Sequence, residues 1–359
     1  MKIREDMIYT IPEIARFNIK GLSEPTLRRA VAEGRIKTEQ IAPGKTHRIR
    51  GSELFRFIGV VPQDFNARPP AKVVAITNRK GGVGKTTTTM NLGTALAQLG
   101  RKVLLVDMDG QSNLSNAVLG EDINYYPLTM FNVLLDRDQD NTLKPPGSVK
   151  ISDIITKAKT ENLWIAPANL QLIKAEDLLY GVDVREFVLK NKLKEVIYDY
   201  DYILIDSPPG GGIMPKNVLY TSTDIFLIVE ATYFGIQGAE QVDEVVKEVK
   251  LKGNEKLIIS LVIITKYEHT VLAREVKGEV EKYFRTPDGR SLVAKTVIPR
   301  NVRVAEAPSF HQSAIDYDPT SSGAKAYIAL AKEVVELEQG NKEAAGAGQG
   351  SREVVRLEQ

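Results

Sequence analysis

Eight consecutive residues, Lys80-Gly-Gly-Val-Gly-Lys-Thr-Thr87, carry the strongest chemical signal in this chain. They follow an apolar run, VVAIT, and open a segment of helical character, MNLGTALAQLG. Gly81, Gly82 and Gly84 permit a turn whose amides point inward at phosphate oxygens, and the start of the helix adds partial positive charge. Lys85 is placed to contact β and γ phosphates and the Thr86 hydroxyl to ligate Mg²⁺, with Val83 and Thr87 completing the cradle. A glycine-rich turn without ligand is the bland alternative; the strand–turn–helix context favours a nucleotide site. Three aspartates end other apolar runs: Asp107 and Asp109 in VLLVDMDGQSN, and Asp206 in YILIDSPP. Ligands of open α/β sheets gather at the carboxyl ends of parallel strands. The alternative for each aspartate is to cap the next helix or turn.

The elements that must position these residues are legible as apolar runs at Val73–Thr77, Val103–Asp107, Leu163–Ala166, Tyr202–Asp206, Ile225–Val229 and Leu257–Thr265. Helix-length segments separate several of them, which predicts an α/β fold with a mostly parallel, twisted sheet flanked by helices. Residues 62–70, PQDFNARPP, contain three prolines and read as a linker. The expected domains are therefore 1–61 and 71–338, followed by a tail, 339–359, expected to be disordered. Lys332–Gln339, KEVVELEQ, nearly repeats as Arg352–Gln359, REVVRLEQ; nothing physical beyond helix propensity accounts for it.

At 359 residues, 43% hydrophobic and 26% charged, the chain can bury a sizeable core, which excludes disorder for its bulk. No run of ~18 apolar residues is present, and the opening MKIREDMIYT lacks a secretory stretch, so a cytoplasmic location is expected. Without cysteine there is no thiolate nucleophile, disulfide or cysteine-held metal. His47, His269 and His311 are too scattered for a histidine metal site. The net charge of +2 says little, but residues 1–70 hold 13 basic and 8 acidic side chains, a local +5. That excess is either a solvated face or a nucleic-acid contact.

In the first segment, Thr10 and Glu13 form a capping box that predicts a short helix through Phe17. Ser23 caps a second helix, EPTLRRAVAEG, with Pro25 in its first turn and Gly34 past its end. Leu27, Ala30 and Val31 mark its apolar face and leave Arg28 and Arg29 outward. A strand to Ile41, a turn at Pro43-Gly44, a basic strand THRIR and a helix capped by Ser52 follow. This order resembles a small winged helix-turn-helix of the MerR or excisionase kind. The resemblance implies that Thr26, Arg28 and Arg29 approach DNA bases or phosphates, while Lys45, Arg48 and Arg50 track the backbone. A docking or dimerisation domain with ordinary surface arginines is the alternative.

Lys80 adds a second lysine where an ordinary phosphate loop needs none. With it, residues 72–335 resemble the deviant Walker A family of P-loop NTPases. That resemblance implies that Lys80 reaches across a dimer to the partner's nucleotide, Asp109 orients the attacking water, and Asp107 supports the Mg²⁺ shell. Tyr202–Pro209 resembles the Walker B strand, implying that Asp206 holds the metal through water. Gly110 stands in place of the family's usual proline, which is expected to loosen the turn. The absence of cysteine argues against the nitrogenase and arsenite branches, and the tail lacks both a tyrosine cluster and a bulky amphipathic membrane helix.

Ile298–Pro308, IPRNVRVAEAP, closely resembles ParA-type partition ATPases, as does the later DPTSSGAKAYIALAKEV. The resemblance implies that Pro299 and Arg300 lie near the adenine and that Arg300 and Arg303, with Lys266 and Arg274 as weaker candidates, bind DNA. Glu268-His-Thr270 stands where the family has Asp-x-Arg-Thr, so one expected arginine is missing. The implied protein is a partition ATPase using ATP and Mg²⁺, active as a homodimer on nonspecific DNA. A ParB-like centromere-binding protein is its implied partner, the nucleoid its location, and its own operator a further target; no membrane partner is expected. The rival readings are a nucleotide-regulated repressor and a positioning ATPase for a non-DNA cargo.

Overall fold

The computed structural model describes residues 8–16, 23–33, 36–38, 48–50, 53–54, 69–120, 126–232 and 235–346. Two compact units divide between Pro69 and Pro70, at the end of the proline-bearing segment.

In the first unit, strand β1 (Ile8–Thr10) leads directly into a helix, Ile11–Arg16, so that Thr10 immediately precedes it. The second helix spans Glu24–Ala32; Ser23 accepts a bond from the Thr26 amide at 3.4 Å and Pro25 lies in the first turn. Leu27 and Ala30 are buried with Tyr9, Ile11, Ile14, Ile36, Ile49 and Leu54, and Val31 packs against them. β2 (Arg48–Arg50) pairs antiparallel with β1, Tyr9 opposite Ile49. A three-residue strand is too short for alternation to announce it. Phe17, Gly34, Ile41, the Pro43-Gly44 turn, Lys45 and Ser52 lie outside the described residues.

The second unit is built on a seven-stranded sheet. Its strands are β3 (Lys72–Thr77), β4 (Val103–Asp107), β5 (Thr156–Lys157), β6 (Leu163–Ala166), β7 (Tyr202–Asp206), β8 (Asp224–Glu230) and β9 (Ile258–Thr265). The spatial order is β5-β6-β4-β7-β3-β8-β9. Every pairing is parallel except β5 with β6, a two-residue edge with no signal in the sequence. Strands β3, β4 and β7 are buried almost throughout, as continuous apolar runs covered on both faces must be. One apolar cluster, containing Val73, Ala75 and Val106, packs one face, and another, containing Val74, Ile76 and Leu105, packs the other.

The helix Lys85–Gln98 follows β3, and Thr88 meets Tyr327 at 3.2 Å from the last helix. That helix runs Ser322–Gly346, so chain expected to be disordered from residue 339 is helical as far as 346; residues 347–359 are outside the described residues. Among the described residues, no helix is long and apolar enough to cross a membrane.

Candidate nucleotide site

The loop between β3 and its helix is fixed from three neighbouring strand ends. Asn78, just past β3 and buried, donates to the Ile228 carbonyl of β8 at 2.6 Å and accepts from the Lys80 amide at 2.9 Å. Thr265, ending β9, donates its hydroxyl to the Val83 carbonyl at 2.7 Å. Lys266 follows it and donates to the Gly82 carbonyl at 2.6 Å. Gly84 takes a left-handed φ of 99° at the head of the helix, a conformation that suits glycine. The first amides of that helix have no acceptor within it.

Lys85 is buried and donates to the Lys80 carbonyl at 2.9 Å. Burial pulls its ammonium below the usual lysine range, although the Asp206 and Asp109 carboxylates oppose the shift. Lys80, by contrast, keeps 41% of its side chain exposed, and its ammonium donates to Glu230 Oε2 at 3.2 Å. One loop thus carries an inner, buried lysine and an outer lysine at its rim.

Asp107 and Asp206 sit opposite each other on β4 and β7. Both oxygens of Asp107 are occupied: Oδ2 accepts from the Ser115 amide at 2.9 Å and hydroxyl at 2.6 Å, and Oδ1 from the Asp109 amide at 3.1 Å. The capping alternative is therefore what Asp107 visibly does, at the start of the helix Asn113–Leu119. Asp206 differs. Thr89 reaches its Oδ1 at 3.5 Å, and its buried Oδ2 has no partner. Burial, then the Asp107 charge, push its carboxyl well above the usual range, opposed by the Thr86 hydroxyl and Lys85. A bare buried carboxylate oxygen beside a threonine hydroxyl fits a hard divalent cation with oxygen ligands.

Asp109 is half-buried and accepts from the Gln111 amide at 2.9 Å. The turn carrying it is not loose, contrary to what Gly110 suggested. A Cβ at residue 110 would lie 2.9 Å from the Ile173 backbone nitrogen and 2.6 Å from its Cγ1, so the helix Leu172–Leu179 fills the space a side chain needs. Glycine is the fit for this turn, not a relaxation of it.

Pro299 bridges to Tyr267, and the Arg300 amide donates to the Tyr267 carbonyl at 3.1 Å, placing this segment beside the end of β9. The arginine surface is part-neutralised: Arg300 pairs with Glu268, and Arg303 pairs with Glu306 at 3.0 Å and Asp318 at 3.6 Å. Arg274 lies exposed on the helix Val271–Tyr283. Lys266 departs from expectation, its ammonium being turned to Gly82 and Glu230 of the phosphate loop's surround. In the first unit Thr26, Arg28, Arg29, Arg48 and Arg50 are exposed. Arg28 and Arg29 are each bound to a glutamate one helical turn away, Glu24 and Glu33, both at 2.7 Å.

Sequence reasoning missed Asn78, Glu230, Thr265 and Ser115. Two of these, Glu230 and Thr265, end strands of the sheet, the one signal that singles them out.

The family model described as "AAA domain" matches residues 71–259. The chain is 42% identical over 264 residues to the sporulation initiation inhibitor protein Soj of Bacillus subtilis, covering 73% of this chain and 98% of that protein. It is 34% identical over 273 residues to the chromosome partitioning protein ParA of Caulobacter vibrioides, covering 75% and 96%. Among solved structures it resembles cobyrinic acid a,c-diamide synthase from Mycobacterium smegmatis with bound ADP and magnesium (TM-score 0.61, 29% identity, 76% of this chain and 96% of that one). It also resembles the septum site-determining protein MinD with Mg-ADP from Pyrococcus horikoshii (TM-score 0.59, 28% identity, 75% and 97%).

Proposed function

This chain belongs to the ParA-type P-loop ATPases, and we propose that it is an ATP- and Mg²⁺-dependent partition ATPase that segregates DNA. The observation that carries this reading is the division between two lysines of one loop, Lys85 buried and Lys80 at the rim. Lys85 and the amides of Gly81 to Thr87 hold the phosphates of ATP. Thr86 and Asp206 hold Mg²⁺, which neutralises phosphate charge; Asp107 supports them by fixing the turn, and Asp109 orients the attacking water. Lys80 crosses to the nucleotide of a second copy, and Pro299 and Arg300 flank the adenine.

The dimer binds DNA of any sequence through Arg300, Arg303 and Arg274, and a ParB-like partner stimulates hydrolysis and release. Its place is then the cytoplasm, on the nucleoid. The first unit is a winged helix-turn-helix that reads the chain's own operator through Thr26, Arg28, Arg29, Lys45, Arg48 and Arg50. A good bidentate base contact discriminates by ~1–3 kcal/mol. Positioning of a cargo other than DNA is the second reading, favoured by the Arg300–Glu268 pair, which takes charge from the surface meant for phosphate.

A footprint on DNA upstream of its gene, run beside a random fragment, tests the two DNA roles. Arg28→Ala with Arg29→Ala is expected to erase the specific footprint and spare ATP-dependent binding to the random fragment. An unchanged footprint rejects the helix-turn-helix assignment.

A further inference from the structure

Glu230 ends β8 with its side chain 13% exposed, and its carboxylate lies between two lysines. Lys80 donates to Oε2 at 3.2 Å, and Lys266 approaches Oε1 at 3.5 Å while also holding the Gly82 carbonyl. Burial alone would raise the Glu230 carboxyl, but the Lys80 hydrogen bond and the charges of Lys266 and Lys80 outweigh it and hold the carboxyl below its usual range. The Lys80 backbone is fixed separately: its amide is bonded to Asn78 and its carbonyl to Lys85. Only the side chain is free to leave.

We propose that Glu230 is a positioning residue that keeps the Lys80 ammonium on its own subunit until nucleotide brings two copies together. The proposal rests on the reading of Lys80 as a cation that crosses to a second copy. An ammonium extended to the nucleotide of a second copy leaves Glu230 behind, so the Glu230 pair opens as the dimer forms. Opening would ordinarily strand a part-buried carboxylate, which is costly. Lys266 removes most of that cost, because it stays beside Oε1 after Lys80 has gone. Glu230 therefore sets the ATP concentration at which dimers appear.

Light scattering on the full-length protein, titrated with ATP at fixed Mg²⁺, tests this. Glu230→Gln is expected to reach half-dimerisation at about two- to fivefold less ATP, the range that a part-exposed ion pair supports. Its monomer affinity for a fluorescent ATP analogue, read at protein concentrations below dimerisation, is expected to match wild type. Glu230→Asp, which keeps the charge but shortens the reach, is expected to shift the midpoint in the same direction by less. The gain is expected to persist in a Lys266→Met background. An unchanged or higher ATP requirement overturns the proposal, as does a loss of monomer affinity or a gain that disappears with Lys266. Lys80→Ala serves as the separate control. If it dimerises like wild type, the crossing role of Lys80 fails, and with it the premise, whatever Glu230 does.

Discussion

Asp107 and Asp206 stand opposite each other on neighbouring parallel strands, yet their carboxylates are bound in opposite ways. Asp107 is saturated by Ser115 and the Asp109 amide, whereas Asp206 keeps a buried oxygen without a partner. A saturated carboxylate builds the turn; a bare one is open to a further partner. An unpartnered buried polar group costs about 1–3 kcal/mol, a penalty that a bound cation would relieve.

Asp206→Asn is therefore expected to stabilise the nucleotide-free protein by about 1–2 kcal/mol near neutral pH while abolishing Mg²⁺-dependent hydrolysis. Chemical unfolding of the second unit and a phosphate-release assay check the two halves. A less stable variant would contradict the account of Asp206.

The pH dependence follows from the raised carboxyls of Asp107 and Asp206, in both of which burial is the leading cause. Below the ordinary carboxylate range, near ~4, these groups are protonated folded or unfolded and contribute nothing. Above it the unfolded chain ionises first, so the folded state binds more protons and loses stability as pH rises. In the nucleotide-free protein this contribution is expected to fall from about pH 4 upward, and the fall to shrink in Asp206→Asn. Unfolding free energies across pH measure it; equal slopes in both proteins would reject it.

Ser115→Ala removes the hydroxyl that donates to Asp107 and accepts from the Ala168 amide at 2.8 Å. The expected loss is about 1–3 kcal/mol of stability, since two buried groups lose a partner. Thermal unfolding checks this, and a neutral result would mean that the Asp107 network adds nothing.

The six strand runs read from the sequence match the sheet to within one residue at each end, because strands buried on both faces are continuous apolar runs. β1 and β5 were illegible, being three and two residues long. The phosphate loop was legible because its residues are consecutive. Its fastenings were not: Asn78 to Ile228, Lys80 to Glu230 and Thr265 to Val83 each join residues more than a hundred positions apart. Gly110 misled for the same reason, since the group that excludes a side chain there, Ile173, belongs to a distant helix.

Gly110→Pro, which would install the residue usual in the family, is accordingly expected to damage this protein. The Ile173 backbone nitrogen leaves no room, so overpacking should cost about 1–3 kcal/mol and displace Asp109. Hydrolysis is expected to fall with ATP binding kept, and Ile173→Ala should not rescue it because the clash includes the Ile173 backbone. Full activity in Gly110→Pro would refute the packing argument.

Binding to a random-sequence duplex at increasing salt probes whether the protein is an ATP-driven switch that grips DNA through a lysine-bridged dimer. Wild type is expected to bind only with ATP and Mg²⁺, its affinity to fall steeply with salt as phosphate contacts require, and Lys80→Ala not to bind. Equal binding without ATP, or by Lys80→Ala, would contradict that reading.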